Sequence, residues 1–140
     1  MKIELQYKDI ISEFLNKKNV FAIVGASSNP AKYGYKVYKD IKEAGYKVYP
    51  VNPKRKMINN DKCYSSLREL PQKPDVIDIV TKPDVTEKIV REAFELGIKK
   101  IWMQPGSQSD DAIMFCKNNG IQVLYNVCII VKRKELKQGA

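Results

Sequence analysis

The stretch Val20-Phe-Ala-Ile-Val-Gly-Ala-Ser-Ser-Asn-Pro-Ala-Lys-Tyr-Gly34 decides how the rest of the chain is read. Val20, Ile23 and Val24 are β-branched, Phe21 is aromatic, and no charge interrupts residues 20–26. That is the pattern of a central parallel strand covered on both faces. Gly25 then permits a sharp turn, while Ala26, Ser27 and Ser28 keep their side chains short. Successive backbone N–H groups at this turn, ahead of a helix predicted to begin near residues 32–35, form a concavity suited to a phosphate or pyrophosphate. The stretch is not the dinucleotide fingerprint G-x-G-x-x-G, because Ala26 and Ser27 follow Gly25 and the next glycine is Gly34. Alone it indicates an anionic ligand class, and an unliganded strand-to-helix turn would read the same way.

Outward from this stretch the pattern repeats. Residues 7–15 carry Ile10, Ile11, Phe14 and Leu15 at helical spacing, which predicts an amphipathic helix within residues 1–18 that covers the sheet. Val37, Tyr38, Ile41 and Ala44 mark a helix ending at Gly45, and residues 46–51 form a second strand. Residues 76–80 form a third. Pro83 and Asp84 open the next helix, with Asp84 as the expected N-cap and Gly97 at its end. Residues 101–103 form a fourth strand, Ser107 or Ser109 caps a helix ending at Gly120, and residues 123–125 form a fifth. Residues 57–74 are the least regular, with Ser65 or Ser66 capping a short helix at 67–70. Residues 129–140 read as a basic C-terminal tail.

This alternation predicts a single α/β domain over residues 1–140: a Rossmann-like, doubly wound, five-stranded parallel sheet of order 3-2-1-4-5 with an extra N-terminal helix.

Composition narrows the function. The 140 residues are 44% hydrophobic and 29% charged, as in a soluble globular protein, and no apolar run has membrane-spanning length, so the cytoplasm is the expected compartment. Cys63, Cys116 and Cys128 show no C-x-x-C spacing, so reduced thiols are expected rather than disulfides or zinc. With no histidine, the commonest general base and metal ligand are missing. No catalytic or metal-binding residues are assigned, and a non-enzymatic role is expected. The 25 Lys and Arg against 16 Asp and Glu favour an anionic partner.

Ligands of open α/β sheets lie beyond the carboxyl ends of the strands where the strand order reverses, which the predicted order places between the first and fourth strands. After the second strand, an NAD site would place a carboxylate for the ribose. Here Asn52-Pro53-Lys54-Arg55-Lys56 offers cations, suited to the 2′-phosphate of NADP or the 3′-phosphate of coenzyme A.

Several segments together resemble a known family: Val24-Gly-Ala-Ser27, Tyr46-Lys-Val-Tyr-Pro-Val-Asn-Pro-Lys54, Cys63-Tyr-Ser-Ser-Leu67, Pro74-Asp-Val-Ile-Asp-Ile-Val80, and Ile101-Trp-Met-Gln104 with Gly106. They resemble the small stand-alone CoA-binding proteins, which are similar to the CoA-binding domain of the succinyl-CoA synthetase α subunit. The resemblance runs from about Val20 to Cys128. It implies a Rossmann-like CoA-binding fold and non-catalytic binding of coenzyme A or an acyl-CoA.

By position, the resemblance places Gly25, Ala26 and Ser27, with neighbouring Ser28, at the pyrophosphate, and Val51, Asn52, Pro53 and Lys54 at the adenosine 3′-phosphate. It places Thr81, Lys82 and Pro83 beside the adenine, and Met103, Gln104 and Gly106 along the pantetheine arm. Tyr33 reads as a packing residue that could lie over a nucleotide. The family often has Asp-Arg-Cys after the last strand, whereas this chain has Asn126-Val-Cys128, so Cys128 reads first as a small buried hydrophobe. An NADP-binding reductase-like domain is the alternative. A basic nucleic-acid-binding module fits less well, because Phe14, Phe21 and Phe94 fall at core-facing positions. A partner enzyme is possible, and a monomer or small homo-oligomer is expected.

Overall fold

The computed structural model describes residues 2–139. Helix α1 (Lys2–Phe14) precedes β1 (Val20–Val24), α2 (Tyr33–Glu43) and β2 (Lys47–Val51). A two-stranded hairpin, β3 (Met57–Ile58) and β4 (Asp61–Lys62), and a 3-10 turn (Leu67–Glu69) lead to β5 (Val76–Ile79). Then come α3 (Pro83–Glu95), β6 (Lys100–Met103), α4 (Asp110–Asn118), β7 (Gln122–Leu124) and α5 (Ile129–Gly139). The five main strands pair in parallel in the order β2-β1-β5-β6-β7.

The α/β class and the five-stranded parallel sheet agree with the sequence reading. The third place, however, belongs to a different segment. Val76–Ile79 lies beside β1, so in terms of the five long strands alone the order is 2-1-3-4-5. The position outside β2 is taken by Tyr64, which makes one parallel bridge to Val51. Its N–H donates to Pro50 O at 3.0 Å and its carbonyl accepts the Asn52 N–H at 2.9 Å. Counting this one-residue strand as the third gives 3-2-1-4-5-6, the predicted succession with one further strand at its end. The reversal, and with it the cleft, therefore falls between β1 and β5, not between the first strand and residues 101–103. With only two ladder bonds and no apolar run, Tyr64 has no strand signature in the sequence.

Because Val20–Val24 is buried along its whole length, its side chains feed two cores. Phe21 and Ile23 pack with Phe14, Val37, Ile41 and Trp102 under α1, α2 and α5, whereas Ala22 and Val24 pack with Ile77, Ile79, Val90 and Ile101 under α3 and α4. Phe14 meets Trp102 edge-on at 6.0 Å between ring centroids.

Three local expectations change. Residues 129–139 form a helix rather than a tail: Ile129 is fully buried, and Arg133 grips Asp40 of α2 with two bonds of 2.6 and 2.8 Å. The N-cap of α3 is Lys82, with Pro83 at the first helical position and Asp84 inside the first turn, where proline's fixed φ suits it. Phe94 is 43% exposed and stacks edge-on against Phe115 instead of entering the core. Ser109 caps α4 through its hydroxyl, which accepts the Ala112 N–H at 3.1 Å.

Candidate functional site

Gly25 has φ +98°, and a Cβ there would collide with the carbonyl of Val80 at the end of β5. Only glycine lets the chain turn this tightly against the neighbouring strand. The N–H groups of Gly25 and Ala26 both donate to Val51 O, at 2.9 and 3.3 Å, so they close the loop onto β2. The donors left over lie further on. Ser27, Ser28, Tyr33 and Gly34 have no acceptor for their N–H groups among the described residues, and the last two open α2, where no intrahelical acceptor exists. The intervening turn is held by its own side chains: Ser27 Oγ accepts the Asn29 N–H and Asn29 Oδ1 the Ala31 N–H, each at 3.0 Å.

Asn52 fastens the second loop to the first. Its Nδ2 donates to Ala26 O at 2.8 Å, and its Oδ1 accepts the Lys54 N–H at 2.9 Å, forming an Asx turn. Arg55, on the same turn, reaches across to donate to Ser28 Oγ at 2.6 Å.

These loops border a cleft of about 570 Å³ lined by Val24, Gly25, Lys32, Tyr33, Gly34, Val51, Asn52, Pro53 and Lys54 on one side, and by Ser65, Ser66, Leu67, Val80, Thr81, Val85, Ile89 and Glu92 on the other. The cationic side chains come from Lys32 and Lys54, with Arg55 beside them at Ser28. The apolar wall is Leu67, Val85 and Ile89. Glu92 is already engaged, accepting the Leu67 N–H at 3.3 Å and pairing with Arg68 at 3.5 Å.

A shallower depression of about 420 Å³, formed by Val80, Thr81, Lys82 and Pro83 with Pro105, Gly106 and Ser107, continues from the cleft. Val80 and Thr81 border both. Thr81 is fixed there: its N–H donates to Ser107 Oγ at 3.2 Å and its hydroxyl bonds to Thr86 Oγ1 at 2.8 Å.

Of the residues singled out from sequence, the structure brings Gly25, Tyr33, Val51, Asn52, Pro53, Lys54 and Thr81 to one cleft and Lys82, Pro83 and Gly106 to its continuation. Ala26 and Ser27 are buried in the loop beneath, and Ser28 lies under Arg55. Met103 and Gln104 are fully buried and line neither space. Gln104 instead caps α5, its Oε1 accepting the Ile129 N–H at 2.9 Å.

Sequence reasoning missed Gly34 and the apolar wall, and read Arg55 only as one of the cations after the second strand. Gly34 could have been found by its distance from Gly25, since a third glycine serves helix-to-strand packing in dinucleotide sites. The described residues contain no cluster of three or more side chains able to hold a metal ion, and none of their helices is long and apolar enough to cross a membrane.

A family model described as a CoA binding domain matches residues 19–134. The uncharacterized protein YneT of Bacillus subtilis is 29% identical over 86% of this chain and 90% of its own length. The α subunit of an ADP-forming acetate–CoA ligase II from Pyrococcus furiosus is 36% identical over 66% of this chain, and the match spans only 20% of that subunit. Among solved structures, a hypothetical protein from Pyrococcus horikoshii superposes with a TM-score of 0.88 at 33% identity, covering 93% of this chain and 92% of the other.

Proposed function

Because the chain belongs to the CoA-binding domain family, we propose that its cleft holds coenzyme A or an acyl-CoA without chemistry of its own. The observation that carries this reading is the conjunction of unengaged backbone donors at Ser27, Ser28, Tyr33 and Gly34 with the cations Lys54 and Arg55 at the switch between β1 and β5. Backbone donors at a helix N-terminus suit a pyrophosphate. The two cations of the neighbouring turn suit the 3′-phosphate, Arg55 by exchanging Ser28 for phosphate oxygens. The adenine occupies the apolar slot of Leu67, Val85 and Ile89, with Tyr33 at its mouth. The pantetheine arm crosses Thr81 into the depression beside Pro83 and Gly106.

Titration calorimetry with CoA, NADP and a short DNA duplex tests the reading. CoA is expected to bind at physiological salt more tightly than the other two. Preference for NADP would turn the strand-two cations into readers of a 2′-phosphate, and preference for the duplex would end the coenzyme reading altogether.

A further inference from the structure

The loop after β7 holds a thiol in a setting the other two cysteines lack. Cys63 and Cys116 are buried, and burial pushes the Cys116 thiol up to about 12. Cys128 is partly exposed and directly precedes α5. Its carbonyl accepts the Lys132 N–H at 3.1 Å, so the residue stands at the N-terminal end of an eleven-residue helix. Buried Gln104 holds it there, with Nε2 donating to Cys128 Sγ at 3.3 Å while Oε1 takes the Ile129 N–H.

Asp78 points to the same place. It is fully buried, and neither carboxyl oxygen has a hydrogen-bond partner among the described residues. It pairs with Trp102 across the ladder, so both side chains project from one face of the sheet. Trp102 Nε1 donates to Val127 O at 2.9 Å, and Gln104, two residues on, continues that face to Cys128. The carboxyl therefore lies beneath the segment that presents the thiol. Burial, and then the neighbouring Cys128, raise its pKa well above the usual carboxylate value.

The thiol is also joined to the cleft's continuation. The Gly106 N–H donates to Gln108 Oε1 at 2.9 Å, and Gln108 Nε2 donates to Asn126 Oδ1 at 3.1 Å, which ties the Gly106 loop to the Cys128 loop.

Resting on the coenzyme reading above, we propose that Cys128 is a thiol–disulfide exchange site whose reaction partner is CoA disulfide. The Cys128 thiolate attacks one sulfur of that disulfide. The bond between the two CoA sulfurs breaks as the Cys128–CoA bond forms, and the departing CoA leaves as a thiolate that takes up the proton Cys128 released. Cys128 is oxidised, one CoA sulfur is reduced, and CoA disulfide is the only oxidant.

Intact-mass measurement and peptide mapping after incubation with CoA disulfide or glutathione disulfide test the proposal, with CoA calorimetry run in parallel. The expected result is one CoA per chain on Cys128, removable by dithiothreitol and formed at least tenfold faster than the glutathione adduct. Cys128→Ser should form no adduct and bind CoA within threefold of the parent. If CoA binds in calorimetry but no adduct forms, or if adducts spread to Cys63 and Cys116, the exchange site is overturned and the coenzyme reading stands. Equal rates with both disulfides and no heat on adding CoA would overturn the proposal together with the reading beneath it.

Discussion

Gly34 rests against the carbonyl of Gly25 so closely that a Cβ at residue 34 would overlap the Gly25 oxygen. The first turn of α2 is thereby laid directly on the loop that leaves β1, which aims the helix's free N–H groups into the cleft. The opposing atom is backbone, with no flexible side chain to move aside. Gly34→Ala should therefore force apart the two segments that make the anion site. Overpacking of this kind costs about 1–3 kcal/mol. A lower Tm together with at least tenfold weaker CoA binding is expected from a thermal melt and calorimetry. Unchanged affinity at lowered Tm would mean that the contact serves packing alone.

The sheet was legible because β1, β5 and β6 are short, mostly apolar runs and the helices that follow them are amphipathic and closed by a glycine: Gly45, Gly97 and Gly120 all have positive φ. What escaped were features made by contact between distant segments. Tyr64 is a strand only because Pro50 and Asn52 offer it partners. Met103 and Gln104 stand at a strand end like the residues that reach the cleft, yet Met103 is buried in the core under α3 and α4 and Gln104 is bound to the start of α5, and nothing in residues 129–140 signals that a lysine-rich segment will dock through Ile129 and Arg133. The donors of Gly25 and Ala26 are claimed by Val51, which no local motif announces.

Lys54 and Arg55 share one turn but differ in what holds them. Lys54 lines the cleft, and Arg55 is attached to Ser28. A hydrogen bond to a charged group is worth about 1.5–3 kcal/mol, so Lys54→Ala should weaken CoA roughly 10- to 100-fold. Dephospho-CoA, which lacks the 3′-phosphate, should bind the variant nearly as well as it binds the parent. Arg55→Ala should show the same selectivity for the 3′-phosphate. Equal losses for both ligands in calorimetry would move these cations to the pyrophosphate.

The β3–β4 hairpin is pinned to α2 by Asp61, which accepts the Tyr38 hydroxyl at 2.6 Å and also pairs with Lys42. The hydrogen bonds from Lys42 and then Tyr38 hold the Asp61 carboxyl below its usual range. A depressed carboxylate stabilises the fold above its unfolded pKa near ~3.9, and that contribution disappears as pH falls through the folded value. Because the pair is partly exposed, the effect is about 1 kcal/mol or less. Asp61→Asn should speed hydrogen exchange at the Cys63 amide, which donates to Lys56 O at 2.9 Å, at neutral pH. The difference from the parent should close under strongly acidic conditions, and a difference that persists there would point to packing rather than charge.

Asp78 follows the opposite sign. Burial, reinforced by the charge of Cys128, raises its pKa well above the usual carboxylate value, and its oxygens find no partner among the described residues. Below the unfolded pKa near ~3.9 both states carry the proton and the residue is neutral to stability. As pH rises the unfolded chain ionises first, so the unfolded state gains and stability falls until the folded pKa is reached. Asp78→Asn keeps the shape and removes the titration. Melts from pH 3 to 8 should show the variant more stable than the parent at pH 7, with the gap narrowing steadily and vanishing near pH 3. A variant that is less stable at every pH would mean that the carboxyl is held by a partner such as bound water, and that its burial carries no ionisation penalty.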